Sequence, residues 1–345
     1  MSAGRTLVVG VHHPPDADVE ALAKRLEGAG RPVEILRAPY KENLRMRQAR
    51  RGGRLPAALT GDAPEPSASV RAAWKRCEAL LVLDLPAERL DEIPELRFVQ
   101  AYSAGVEHLG AAALAARGVT LASAAGVAAV PIAEFVIARL LEVWKGTRQL
   151  EAMQRARALR RPDSRVIAGA TLGIVGLGAI GRALALRAAA LGMRVIATRR
   201  HPERGGAPGV ADVYGPDGLH TLLAASDAVV LAAPGSAATR DLIDARALAG
   251  MRPGAVLCNV ARGELLDEAA LVDALSRGQL RAAILDVTRR EPLPADDPLW
   301  DAPNLHLSPH CAAAPDAYDE RLLALFVDNL RRHAAGEPVR NAVAP

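Results

Sequence analysis

The sequence predicts an α/β protein of two doubly wound parallel-sheet domains with an interdomain cleft, and three observations predict it. The 345 residues exceed one ordinary compact domain and suit two of roughly 100–200 residues each. Half of the chain is apolar, yet only ten residues are Phe, Trp or Tyr, so the cores must be built from Ala, Val, Leu and Ile. Short apolar runs alternate with helical patterns twice along the chain, once on each side of a long helix.

Leu7–Val11 reads as a short buried strand, 18–28 as a helix ending at glycine and 33–36 as the next strand. Residues 41–70 read as a helix and an irregular loop, because an Arg-rich piece runs into Gly52, Gly53, Pro56, Gly61, Pro64 and Pro66. Strands follow at 79–83, Phe98–Ala101 and 120–121. Pro131 then opens a long helix with Ile132, Val136, Leu140 and Val143 on one stripe, expected to cross between domains. A second alternation runs as strand 172–176, helix 179–191, strand 194–198, helix 217–225, strands 228–232 and 255–259, helix 267–276 and strand 282–286. A last helix, about 315–333, carries Tyr318, Leu322, Leu325, Phe326 and Leu330 at helical spacing and is expected to return to the first domain. The domains would then be 1–125 plus 315–345, and 126–314.

Composition removes several chemistries. The chain has 39 Arg but 4 Lys (Lys24, Lys41, Lys75 and Lys145), so a Gly-Lys phosphate loop, a Tyr-x3-Lys pair and a Schiff-base lysine are not expected. A net charge of +4 favours small anions and does not call for nucleic acid. The basic stretch Lys41, Arg45, Arg47, Arg50, Arg51 and Arg54 lacks interleaved aromatics and reads as a solvated helix face and loop. Cys77, Cys258 and Cys311 form no C-x-x-C, which argues for a reducing cytoplasm and against a disulfide framework or structural zinc. No run of 18 uncharged apolar residues occurs, so no membrane segment is expected and the protein reads as soluble and cytoplasmic. His306 and His310 are four apart, but Pro309 breaks the helical face a metal pair would need.

The strongest motif is Gly176-Leu-Gly178-Ala179-Ile180-Gly181, directly after an apolar strand and opening an amphipathic helix. Gly176 permits the tight turn, Gly178 close approach to a pyrophosphate and Gly181 close helix–sheet packing, the signature of a dinucleotide-binding Rossmann unit. An acidic residue about 20 positions on would select NAD(H). Here the next strand ends Thr198-Arg199-Arg200, and guanidinium groups suit a 2′-phosphate. NADP(H) is therefore the preferred cofactor, with NAD(H) an alternative and no metal.

Three further segments fall where parallel strands should end: Cys258-Asn259-Val260-Ala261-Arg262-Gly263, Asp286 to Glu291-Pro292, and Leu307-Ser308-Pro309-His310. Arg262, Glu291 and His310 together offer the cation, carboxylate and imidazole that reversible reduction of a 2-keto acid requires. With the run Phe98 to His108, Ala133-Glu134, Ala233-Pro234 and Met251 to Gly254, the chain resembles the D-isomer-specific 2-hydroxyacid dehydrogenase family from about Leu80 to Ala314. The arginine pair looks more like its glyoxylate and hydroxypyruvate reductases than its NAD-using members.

That resemblance implies a flavodoxin-like substrate domain, a Rossmann nucleotide domain and a homodimer associating near residues 131–150. It makes His310 the general acid or base, Glu291 its partner and Arg262 the holder of the substrate carboxylate, with backbone N–H groups of Gly105 and Val106 on the carboxylate's other face. Cofactor contacts fall on Gly176, Gly178, Ala179, Ile180, Gly181, Thr198, Arg199, Arg200, Ala233, Pro234, Val260, Ala261 and Asp286, the last toward the nicotinamide carboxamide. Thr288 stands where many members have an aromatic residue, and Arg289 and Arg290 precede Glu291. Asp84 is expected in the substrate-facing loop, where it would disfavour a second carboxylate. Cys311 is expected to be small and buried, and Trp300 to pack at the cleft edge. An NADP(H)-preferring reductase of glyoxylate or hydroxypyruvate is the leading reading. The alternatives are the same fold acting on a phosphonate or larger keto acid, and a dinucleotide-sensing protein like the family's corepressors.

Overall fold

The computed structural model describes residues 5–27, 31–50, 53–313 and 318–344, and the chain forms two compact units, Met1–Val127 with Pro315–Pro345, and Ala128–Ala314. The first unit is built on five parallel strands, β1 (Leu7–Val11), β2 (Val33–Arg37), β3 (Ala79–Val82), β4 (Phe98–Ala101) and β5 (Thr120–Ala122), in the order β2-β1-β3-β4-β5. β3 and β4 lie inside the sheet and bury every residue, which is why they read as unbroken apolar runs. All five strands match the sequence expectation to within a residue or so. Asp18 caps the helix Val19–Arg25 by accepting the Glu20 and Ala21 N–H groups. The helix Tyr318–Ala335 buries Leu322, Phe326 and Leu330 among Leu7, Leu81 and Phe98 of this sheet. Gly28, Arg51, Gly52 and the expected helix start at 315–317 lie outside the described residues.

The expectation of a solvated basic face at 41–54 is wrong for its two central arginines. Arg50, on the turn after the helix Leu44–Ala49, is 1% exposed. It forms paired bonds to buried Glu42 (2.6 and 2.7 Å) and to Glu88 (2.8 and 2.9 Å). Arg47 grips both carboxylate oxygens of Asp84, at 2.7 and 2.8 Å. Asp84 is itself fully buried and also accepts the Glu42 N–H, so it is a neutralised anchor and not a free acid facing a substrate. Burying these charges is tolerable because each carboxylate meets a forked guanidinium. The irregular loop expected to follow contains a short 3-10 turn (Ala57–Asp62) and the helix Ala68–Trp74.

The second unit holds seven parallel strands: β6 (Thr171–Val175), β7 (Arg194–Thr198), β8 (Asp212–Tyr214), β9 (Ala228–Leu231), β10 (Ala255–Asn259), β11 (Leu280–Leu285) and β12 (Leu305–Leu307). Their order is β12-β11-β10-β9-β6-β7-β8. The chain reverses its winding between β6 and β9, which makes their carboxyl ends the switch point where such sheets bind ligands. The long helix spans Ala129–Lys145, so Pro131 sits in its first turn, where the missing N–H has no intrahelical partner to lose. The edge strand β8 escapes the sequence reading because its three residues are only half-buried. Because every pairing is parallel, the segments after β6, β7, β9, β10, β11 and β12 all emerge from one edge.

Replacing Arg50 by Ala leaves Glu42 buried without its counter-charge and is expected to cost about 3–5 kcal/mol of folding stability. Denaturant unfolding followed by tryptophan fluorescence with Trp144 and Trp300 replaced by Phe, so that Trp74 alone reports, measures it; a loss below about 1 kcal/mol, as at exposed pairs, would show that the network is not structural.

Candidate active site

The carboxyl edge of the second sheet begins with the glycine turn. Gly176 has φ +106, and a Cβ there would lie 2.6 Å from the Ala233 nitrogen. A Cβ on Gly181 would sit 2.3 Å from the Gly176 carbonyl oxygen, whereas one on Gly178 would meet nothing within 4 Å. Two of the three glycines are thus required by packing, and the third leaves open space at the start of the helix Ala179–Ala190. The first-turn N–H groups there, beginning at Ala179 and Ile180, have no acceptor within the helix. This fits a pyrophosphate. The Thr198 carbonyl accepts the Gly176 and Leu177 N–H groups, at 3.1 Å each, fixing the end of β7 against the turn. Beyond it Arg199 is half-buried, with Nη1 donating to the Gly205 carbonyl (2.7 Å), and Arg200 is exposed. Ala233 is half-buried, Pro234 exposed, and Val260 and Ala261 buried.

The acid–base pair stands after β11 and β12. His310 Nδ1 lies 3.0 Å from Glu291 Oε2. With Glu291 ionised, Nδ1 must carry the proton, leaving Nε2 for a substrate. The Glu291 bond lifts the His310 pKa above the usual histidine value, against burial and against the charge of Arg262. Burial works against ionisation of Glu291, but the His310 bond and charge, the Thr288 N–H and Arg262 together hold its carboxyl below the usual range. The imidazole is half-exposed, with 53% of its side-chain surface open.

His310 sits in the left-handed region, at φ +53, an unfavourable place for a non-glycine residue. Asp286, at the end of β11 and 2% exposed, holds it there. The Asp286 carbonyl accepts the His310 N–H (2.8 Å), and its carboxylate accepts Ser308 Oγ (2.7 Å) and the Cys311 and Ala312 N–H groups (3.0 Å each). The carboxylate expected to meet the cofactor therefore has three protein donors of its own.

Arg262 follows β10. Its Nη1 donates to the Ala261 carbonyl (2.7 Å), and among the described residues its other N–H donors have no protein acceptor. Gly235 makes room beside it, since a Cβ there would be 3.1 Å from Arg262 Cγ. At Gly263 a Cβ would fall 2.1 Å from the Thr288 carbonyl carbon and 2.3 Å from the Arg289 nitrogen. The loop bearing Arg262 thus presses backbone to backbone on the loop leading to Glu291. Thr288, Arg289 and Arg290, the departures noted in the sequence, are paired locally. Thr288 N–H donates to Glu291 (3.2 Å), Arg289 N–H to Glu268 (2.7 Å), its guanidinium pairs with Asp241, and Arg290 pairs with Asp297 at 2.5 Å.

Two expectations fail. Cys311 is exposed, because the turn that presents His310 carries its neighbour outward too, and burial as the main cause still raises its thiol pKa. Trp300 is 53% exposed, its indole N–H donating to the Pro294 carbonyl at 2.7 Å. Gly105 and Val106 belong to the first unit, in the turn after β4; Ser103 Oγ donates to the Gly105 carbonyl at 2.6 Å. Among the described residues neither of their backbone N–H groups has a protein acceptor. Asn259, Gly235, Gly263 and Glu268 were not singled out from sequence for any role. Their one signal was position, each close in sequence to a residue that was.

The family model for the D-isomer specific 2-hydroxyacid dehydrogenase, NAD binding domain, matches residues 137–312. The chain belongs to the D-isomer-specific 2-hydroxyacid dehydrogenase family. It is 38% identical to (S)-sulfolactate dehydrogenase of Chromohalobacter salexigens over 252 residues, covering 71% of this chain and 80% of that protein. It is 36% identical to glyoxylate/hydroxypyruvate reductase B of Citrobacter koseri over 266 residues, covering 74% and 80%. A family structure from Xanthobacter autotrophicus Py2, solved with NADPH and MES, matches with a TM-score of 0.76 and 29% identity over 99% of both chains. The dehydrogenase is thus an oxidoreductase with an NAD(P)-binding domain, acting on small 2-hydroxy or 2-keto acids.

Gly263→Ala must spread the loops of Arg262 and Glu291, and displacement of about 1 Å can cost about 10²-fold in rate. The variant is expected to lose about that much kcat/KM for keto acid reduction, with dinucleotide affinity nearly unchanged. Wild-type kinetics would show that the contact does not set the site.

Proposed function

We propose that this dehydrogenase works mainly as an NADP(H)-preferring reductase of 2-keto acids, with glyoxylate or hydroxypyruvate as leading substrates. In this reading Ala128–Ala314 holds the dinucleotide and the first unit is the substrate domain. The observation that carries the reaction is the His310–Glu291 pair, 3.0 Å apart at the same sheet edge as Arg262 and the glycine turn. The bound nicotinamide would supply hydride to the substrate's C2. His310 Nε2 gives the carbonyl oxygen its proton and takes it back in the oxidation direction. Glu291 keeps Nδ1 protonated and stabilises the imidazolium. Arg262 orients the substrate carboxylate and stabilises charge growing on the carbonyl oxygen, and the N–H groups of Gly105 and Val106 are assigned to the same carboxylate.

The cofactor preference is supported by the absence of a carboxylate in Thr198-Arg199-Arg200, by two arginines in its place, and by the NADPH held by the Xanthobacter relative. The likeness to (S)-sulfolactate dehydrogenase favours one second reading, a sulfonated acid as substrate. A homodimer belongs to the proposal too. The helix Thr147–Arg155 buries no residue, and Leu150, Leu159 and Val166 stand exposed.

Steady-state reduction of glyoxylate, hydroxypyruvate and a sulfonated 2-keto acid with NADPH and NADH tests both parts. NADPH is expected to be strongly preferred, and Arg199→Asp to lower kcat/KM with NADPH by about 10- to 100-fold while sparing NADH. Preference for NADH would discard the cofactor assignment, and no turnover of any acid would discard the reaction.

Reduction consumes the protonated imidazole, so its kcat/KM is expected to fall as pH rises through the raised His310 pKa. Glu291→Gln removes the cause of that raising and should move the alkaline limb to lower pH. An unmoved limb would mean that another group supplies the proton.

A further inference from the structure

Arg262 can hold a carboxylate only if the backbone beneath it is fixed, and what fixes it is a side chain with no assigned role. Asn259 closes β10 and is 0% exposed. A buried amide must spend its donors and acceptor on protein partners. Asn259 spends Oδ1 and one Nδ2 hydrogen on the turn ahead of it: Oδ1 accepts the Ala261 N–H at 3.0 Å, and Nδ2 donates to the Arg262 carbonyl at 2.9 Å. The first bond is an Asx turn and the second reaches one residue further, so residues 259–262 are closed into a ring by one side chain. Arg262 leaves that ring with extended backbone, φ −147 and ψ 140.

We infer that Asn259 is a positioning residue whose side-chain amide sets the backbone from which Arg262 meets the substrate's carboxylate. Three further contacts place the ring. The Asn259 carbonyl accepts the Asp286 N–H at 3.0 Å, tying the Arg262 turn to the residue that holds the His310 turn. Gly263, directly beyond, sits against the Thr288 and Arg289 backbone, so the ring cannot swing that way. The Ala261 carbonyl, oriented by the Asx turn, receives Arg262 Nη1 at 2.7 Å. Asn259 thus governs both the origin of the Arg262 side chain and the anchor of one of its nitrogens, without facing substrate itself. Serine in its place could still accept from Ala261 but is too short to reach the Arg262 carbonyl; leucine keeps the branched outline, is bulkier and loses both bonds.

The inference rests on the reading of Arg262 as the carboxylate's partner, and a double-mutant cycle separates the two. The affinity of oxalate, an unreactive keto acid mimic, is measured by calorimetry on the NADPH-saturated protein. The forms compared are wild type, Asn259→Ser, Asn259→Leu, Arg262→Ala and the Ser and Leu changes combined with Arg262→Ala. Asn259→Ser is expected to weaken oxalate by about tenfold in the wild-type background and by less than about twofold once Arg262 is gone. NADPH affinity should stay within about twofold, showing that the fold and dinucleotide site are intact. If the Leu variant does not fold, the Ser variant decides alone. Equal losses in both backgrounds, or a loss of NADPH affinity as large as that of oxalate, overturn the role of Asn259 while leaving Arg262 in place. Oxalate affinity indifferent to Arg262→Ala overturns the Arg262 reading and this inference with it.

Discussion

The constraint on which the site depends is the parallel pairing of the second sheet. Parallel strands deliver all their carboxyl ends to one edge, and that edge alone collects the glycine turn after β6, Arg199 after β7, Arg262 after β10 and His310 after β12. A glycine pattern, a cation and an imidazole spread over 135 positions of sequence, from Gly176 to His310, come together because helices return the chain to the same end of the sheet each time. The chemistry is therefore a product of topology first and of residue identity second.

Topology brings the loops to one edge but does not hold them still. That task falls to buried polar side chains at strand ends. Asp286 gathers three donors from the His310 turn, and Asn259 closes the Arg262 turn. The two residues are joined through their own backbone at 3.0 Å. Each has both polar atoms of its side chain bonded to the turn it holds, which lowers the cost of its burial and fixes its geometry. The left-handed His310 is the clearest sign of this restraint, because such a conformation persists only where the surroundings over-determine it. The first unit uses the same device with charges, Arg47 and Arg50 each clamping a buried carboxylate.

Much of this was legible in the sequence. Central strands such as β3, β4 and β10, buried along their whole length, announce themselves as apolar runs, and the glycine motif names its own turn. Arg262, Glu291 and His310 were legible together because their segments follow apolar strand runs, where open parallel sheets bind their ligands, and come in an order and spacing that resemble one family's. What was not legible depended on partners that no local pattern reveals. Arg47 and Arg50 look like a solvated basic face until Asp84 and Glu88, 37 and 38 positions away, are folded against them. Gly263 is indispensable only because the backbone of Thr288 lies where its Cβ would be. Cys311 reads as a core residue by type, yet the turn that exposes His310 exposes it as well.

The most direct measurement is the titration of His310 itself, followed by the ring nitrogen and carbon shifts of the protein labelled at histidine and assigned with His310→Gln. An imidazole titrating above 6.5, protonated at Nδ1 and free at Nε2 in its neutral form, is the state required of a proton donor poised beside Glu291. Titration at or below that value, or a neutral ring protonated at Nε2, would contradict the central claim that this sheet edge presents a primed acid.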